Sequence, residues 1–182
     1  MGKAIGMVEY LTVSTGVQAA DMILKTAKVS IIEAKTVCPG KYIIIFSGGL
    51  SAVNSSIEAS KSVHGEKLID SFLLGNPHES IFPAIYGAAE VKNKKSLGVL
   101  ETFSASSIIV AADEAAKTSD IELIEVRIAR GMSGKSYLML TGDVGAVEAA
   151  IKKASSVVGK SGMLLDSSII ANPDKELWDT IL

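Results

Sequence analysis

Ile5-Gly6-Met7-Val8-Glu9, near the start of the chain, is answered by Leu97-Gly98-Val99-Leu100-Glu101, 92 positions on, and this pairing decides how the sequence is read. At the same offset Ala19-Ala20-Asp21 meets Ala111-Ala112-Asp113, Lys25-Thr26 meets Lys117-Thr118, and Ile32-Glu33 meets Ile124-Glu125. A loop two residues longer in the second half moves the offset to 94, where Lys41 meets Lys135, Gly48 meets Gly142 and Ala52-Val53 meets Ala146-Val147. Farther on, Asp70-Ser71 and Asn76-Pro77 meet Asp166-Ser167 and Asn172-Pro173. Roughly twenty identities in one order, with two small gaps, mark an internal duplication. It divides the chain into residues 1–91 and 96–182, joined by the charged stretch around Val91–Lys95.

Each half shows the same switching of hydrophobic period. Met7–Val13 is β-branched, ends at a Ser-Thr-Gly turn and predicts a strand. Thr15–Lys28 is Ala-rich, with Val17, Ala20, Ile23, Leu24 and Ala27 at helical spacing. Val29–Val37 and Lys41–Ser47 predict two strands around the tight Cys38-Pro39-Gly40 turn. A small-residue helix over Leu50–Val63 and a strand over Lys67–Leu74 follow. Asn76-Pro77 then opens a short helix, with Asn as cap and Pro in the first turn. The second half predicts strands at Leu97–Phe103, Ile121–Ala129, Lys135–Thr141 and Gly162–Ile170, and helices at Ser106–Thr118, Val144–Val158 and Pro173–Ile181. The order β-α-β-β-α-β, twice, predicts an α/β (α+β) fold made of two ferredoxin-like units.

Composition narrows the function. The 182 residues carry 18 basic and 20 acidic side chains, so a basic nucleic-acid-binding face is not expected. Hydrophobic residues make up 48% and aromatics only 5%, with 16 glycines, which suits tight packing of repeated subunits. The longest purely apolar runs, such as Tyr42–Phe46, fall far short of the roughly 18 residues of a membrane span. Glu9 interrupts the first apolar stretch and no signal-peptide pattern is read there. A single cysteine excludes an intramolecular disulfide and a self-contained zinc site, and suits a reducing compartment.

Few residues offer chemistry. Cys38 reads either as a small buried hydrophobe, the common fate of a free cysteine, or as a thiol displayed on a turn between Pro and Val. The corresponding turn of the second half is Arg130-Gly131-Met132-Ser133-Gly134, with Arg130 in the place of Cys38. Arg130 is either solvated or set to bring positive charge near an anion, and the glycines allow close backbone approach. Gly134-Lys135-Ser136 hints at a phosphate loop, but the motif needs glycine at Ala129 and a helix afterwards, where a strand is predicted. Asp21/Lys25 and Asp113/Lys117 lie four apart and so neighbour each other on one helix face. His64 and His78 are read as surface residues, and no paired carboxylates suggest an active site. An enzyme is not expected.

Gly142-Asp143-Val144-Gly145-Ala146-Val147-Glu148-Ala149-Ala150, together with Ile5–Glu9 and Ala19-Ala20-Asp21 with Lys25, resembles the bacterial microcompartment shell-protein domain, once per half. The resemblance implies a tandem-domain shell protein in a compartment shell within the cytoplasm. It implies a homotrimer that imitates the hexameric tiles of single-domain relatives and docks other shell proteins at its edges through Asp21, Lys25, Asp113 and Lys117. Many relatives carry arginine before the proline of the last segment; Asn76 and Asn172 stand there and imply altered edge chemistry. Cys38 in its Val37–Gly40 turn resembles the iron–sulfur-carrying tandem shell proteins of propanediol-utilisation compartments. That implies one [4Fe–4S] cluster per trimer, on the three-fold axis, held by three copies of Cys38 and passing electrons to a lumenal or cytosolic redox enzyme. Val37, Pro39, Gly40 and the Arg130–Gly134 turn would then line the cluster or pore. Two alternatives stay open: a cluster-free tile whose pore passes small metabolites, and a ferredoxin-like regulator that binds a small ligand.

Overall fold

Alternate residues of the first strand, β1 (Ala4–Tyr10), face opposite sides of a sheet, and every one of them is buried. Ala4, Val8 and Tyr10 join a core with Ala19 and Ile23 of helix α1 (Val13–Thr26), Ile44 and Phe46 of strand β3 (Lys41–Gly48), and Val53 and Ile57 of helix α2 (Leu50–His64). Strands β2 (Val29–Val37) and β4 (Leu68–Gly75) complete an antiparallel sheet of order β2-β3-β1-β4. Gly6 permits this packing: a Cβ there would stand 2.6 Å from Val53 and 2.8 Å from Phe46.

The second half repeats the design. Strands β5 (Ser96–Thr102), β6 (Ile121–Arg127), β7 (Ser136–Gly142) and β8 (Leu164–Ile170) form an antiparallel sheet of order β6-β7-β5-β8. Helices α4 (Ala105–Thr118) and α5 (Val144–Gly159) pack against each other and on its strands, and Gly98 lets Leu140, Val147 and Ile151 close in as Gly6 does in the first half. The opposite face, with Leu97, Val99, Ile124 and Met139, is covered by Val91 and by Leu177, Trp178 and Ile181 of helix α6 (Lys175–Ile181). Bulges recur at equivalent places, between Ile31 and Glu33 and between Leu123 and Glu125. The first bulge lets Ile31 and Ala34, three apart, both reach the helix-side core, which an unbroken two-residue period forbids.

This computed structural model describes residues 4–182 and divides into two packed units that part between Pro77 and His78. The repeat boundary read from the sequence lies later, at 91–96. The difference arises because the short helix α3 (Ile81–Tyr86) packs on β6 and α4, with the second unit. Two expectations about element ends are corrected. β1 ends at Tyr10 and α1 begins at Val13, because Thr12 is already the extended residue before the helix. Asn76 and Asn172 are not helix caps: Asn76 is left-handed (φ 52°), α3 begins after Ser80, and α6 is capped by Asp174, whose Oδ1 accepts from the Glu176 amide at 2.8 Å.

Candidate functional site

The β2–β3 hairpin closes tightly. Val37 pairs with Lys41, leaving Cys38, Pro39 and Gly40 as the whole loop, and Gly40 takes the left-handed conformation (φ 78°) that lets the chain reverse. Val37 is buried and anchors the turn, while Cys38 is a free, exposed thiol and Pro39 and Gly40 are exposed beside it. The reading of Cys38 as a buried hydrophobe is therefore overturned in this chain. Among the described residues no three His, Cys, Asp or Glu side chains converge on a metal site.

The corresponding β6–β7 turn is built differently. Ala129, Gly131, Ser133 and Gly134 are all left-handed (φ 49°, 71°, 53° and 90°), the Lys135 amide donates to the Met132 carbonyl at 3.0 Å, and the Ala129 amide donates to Ser136 Oγ at 3.1 Å. Arg130, Gly131 and Ser133 face solvent, and Met132 is half-buried. A strand follows Lys135, so the phosphate-loop reading fails as expected.

At the base of this turn lies a cluster that the sequence reading missed. Arg127 Nε donates to Glu125 Oε1 at 2.7 Å, Tyr137 Oη donates to Glu125 Oε2 at 2.7 Å, and the Arg127 guanidinium sits 5.5 Å from the Tyr137 ring centre. Burial, then the hydrogen bond and charge of Glu125, push the Tyr137 phenol up to about 12. The hydrogen bond to Glu125 likewise raises Arg127. The signal was the Glu125-x-Arg127 alternation on one strand face, but only the cross-strand register brings Tyr137 to it. In the first unit the equivalent Glu33 and Lys35 are also ion-paired.

The two Asp–Lys pairs both form, at 2.6 Å, yet their settings differ. Asp21 and Lys25 are exposed on α1. Asp113 is buried: Oδ1 accepts from the His78 backbone amide at 2.8 Å and Oδ2 from Lys117. The histidines are structural and half-buried. His64 meets the Tyr10 ring edge-on at 6.1 Å, while the His78 ring bonds Ser80 Oγ at 2.8 Å. Asn172 is exposed, as is Asn76.

Comparison with known proteins fits this architecture. The BMC domain family matches twice, over residues 4–77 and 96–173. The bacterial microcompartment shell protein PduT of Citrobacter freundii is 38% identical over 178 residues, covering 98% of this chain and 97% of its own length. The carboxysome shell protein CcmK1 of Thermosynechococcus vestitus is 31% identical over 85 residues, 44% of this chain and 75% of its own. A crystal structure of a microcompartment protein from Desulfitobacterium hafniense DCB superposes with a TM-score of 0.95 at 42% identity, covering 98% of this chain and 99% of that one. The fused permuted hexameric shell protein MSM0275 of the RMM microcompartment shares the fold, with a TM-score of 0.64 at 22% identity over 87% of this chain and 84% of its own. These matches place the chain in a compartment shell within the cytoplasm. The chain belongs to the BMC-domain family and is a structural shell protein of a bacterial microcompartment, with two such domains in tandem.

Proposed function

We propose that the protein is a homotrimeric facet tile whose three Cys38 thiolates meet at the trimer centre and hold one [4Fe–4S] cluster. The observation that carries this reading is the exposure of the only thiol in the sequence, at the tip of a short, anchored hairpin. Such clusters are usually bound by four thiolates, so one chain cannot suffice; three chains supply three, with the fourth iron left to water, a small ligand or a partner side chain. The donor set fits in kind: a solvent-facing thiol on a fixed turn, with Gly40 adding no side chain to obstruct approach. When bound, the cluster supplies one-electron transfer. Cys38 would supply ligands as thiolate, the Pro39-Gly40 turn would fix the sulfur's direction, and Val37 would hold the turn to the sheet. Arg130 and its glycine-rich turn would line the same centre and add positive charge.

Edge docking to other shell proteins through Lys25 and Lys117 completes the proposed role, with a redox enzyme as electron partner. A propanediol-utilisation compartment is part of the proposal and rests on the likeness to PduT.

Purification without oxygen tests it. The protein should be brown, with about four irons per three chains and broad visible absorption that a Cys38→Ser variant loses while staying trimeric. Colourless trimers that still form sheets would favour the cluster-free pore tile instead.

A further inference from the structure

Helices α1 and α4 hold equivalent places in the two halves, but only one of them is covered. On α1, Val17 is 52% and Leu24 49% exposed, and the Asp21 side chain is 62% exposed. Their counterparts on α4 are Ile109, fully buried, Ala116, half-buried, and Asp113, whose side chain is 4% exposed. The neighbouring strands repeat the contrast: Leu123 and Val126 of β6 are buried, whereas Ile31 and Ala34 of β2 are half-buried. The segment after β4 is fastened to α4, since α3 packs on β6 and α4 and the His78 amide donates to Asp113.

The duplication provides a second copy of that segment. Asn172-Pro173-Asp174 follows β8 as Asn76-Pro77-His78 follows β4. Asp174 is exposed, and so are Ile169 (39%) and Ile170 (38%) at the end of β8. Each chain therefore carries two exposed surfaces, an α1 face and the short Asn172–Asp174 stretch between β8 and α6, whose counterparts are an acceptor and a donor already joined at Asp113 and His78.

We infer that Asp21 of one copy accepts the backbone amide of Asp174 of a second copy, repeating the Asp113–His78 bond between chains and covering Val17 and Leu24. The partner is this chain itself. The contact joins two different surfaces, so it runs head to tail and closes a ring rather than a two-fold dimer. Asp174 brings a second carboxylate where His78 brings an imidazole, and Lys25 and Lys175 flank the pair to offset it. The inference rests on the trimeric reading above and gives Asp21 an inner role, leaving Lys25 at its outer flank.

Paired cysteines test the contact. In a Cys38→Ser background, Asp21→Cys with Asp174→Cys should yield covalent dimers and trimers on mild oxidation, seen on a non-reducing gel, while either single change yields none beyond dimers. Separately, Asp21→Ala should raise the concentration at which trimers dissociate by at least about tenfold, the loss expected of a hydrogen bond to a charged acceptor. Glu58→Ala, exposed on α2, should leave it unchanged. If sedimentation finds the parent protein trimeric but the paired cysteines stay unlinked, this contact is overturned and the trimer stands. If the parent protein is monomeric, the trimeric reading falls, and this contact with it.

Discussion

Gly16 owes its lack of a side chain to Tyr42: a Cβ at Gly16 would lie 2.4 Å from the Tyr42 ring. The equivalent positions in the second half are Ile108 and Ser136, both fully buried, so the large and small residues have changed places between repeats. Gly16→Ala should cost about 1–3 kcal/mol through overpacking, and adding Tyr42→Ser should not restore it, because the Cβ that serine keeps would still stand 2.4 Å from the new one; denaturant unfolding of the single and double variants measures both. Asp113 makes a second residue-scale case. Asp113→Ala leaves the His78 amide without its acceptor and should lower stability by about 1–3 kcal/mol. Spacing alone could not separate Asp113/Lys117 from Asp21/Lys25, because both read as helix-surface pairs. What distinguishes them is the segment packed over one of them, which is tertiary. Cys38 was half legible: the sequence placed it on a turn, but its exposure depended on how Val37 and Lys41 pair around it.

At the scale of elements, the helices and strands were legible because their periods switch cleanly between 3.6 and 2 and because the repeat supplies each reading twice. The ends were not. Asn76-Pro77 has the composition of a helix start, yet Asn76 serves the left-handed turn after β4, α3 begins only after Ser80, and the cap of α6 falls to Asp174, two residues beyond Asn172. α4 does have a side-chain cap, Ser104 Oγ accepting from the Ser107 amide at 3.2 Å, so Ser104→Ala should cost about 1 kcal/mol in thermal or denaturant unfolding. The β6–β7 pair yields a pH prediction. The Tyr137 phenol is uncharged when protonated, and its folded value of about 12 lies above the ordinary value of 10.0. The fold therefore holds this proton more tightly than the unfolded chain does. That stabilisation is intact below about pH 10 and is lost as pH climbs toward 12. Unfolding free energy followed across this range should fall more steeply in the parent protein than in a Tyr137→Phe variant; equal slopes would contradict the assignment.

For the whole molecule, the duplication visible in sequence foretold two like sheets, and both have the same order, bulges and glycine-lined helix contacts. It did not foretell that the units part at Pro77, since that depends on where α3 finds its apolar partners. Nor could it say which copy of a repeated surface is covered. In the proposed trimer three exposed thiols meet at one centre, and Cys38 is the only cysteine in the sequence, so oxidation reports on it without engineering. Metal-free trimers treated with a mild oxidant and run on a non-reducing gel should give rapid disulfide-linked dimers and nothing larger, because each chain offers one sulfur. Chains that remain unlinked, with every thiol still titratable in an intact trimer, would show that the Cys38 turns lie apart.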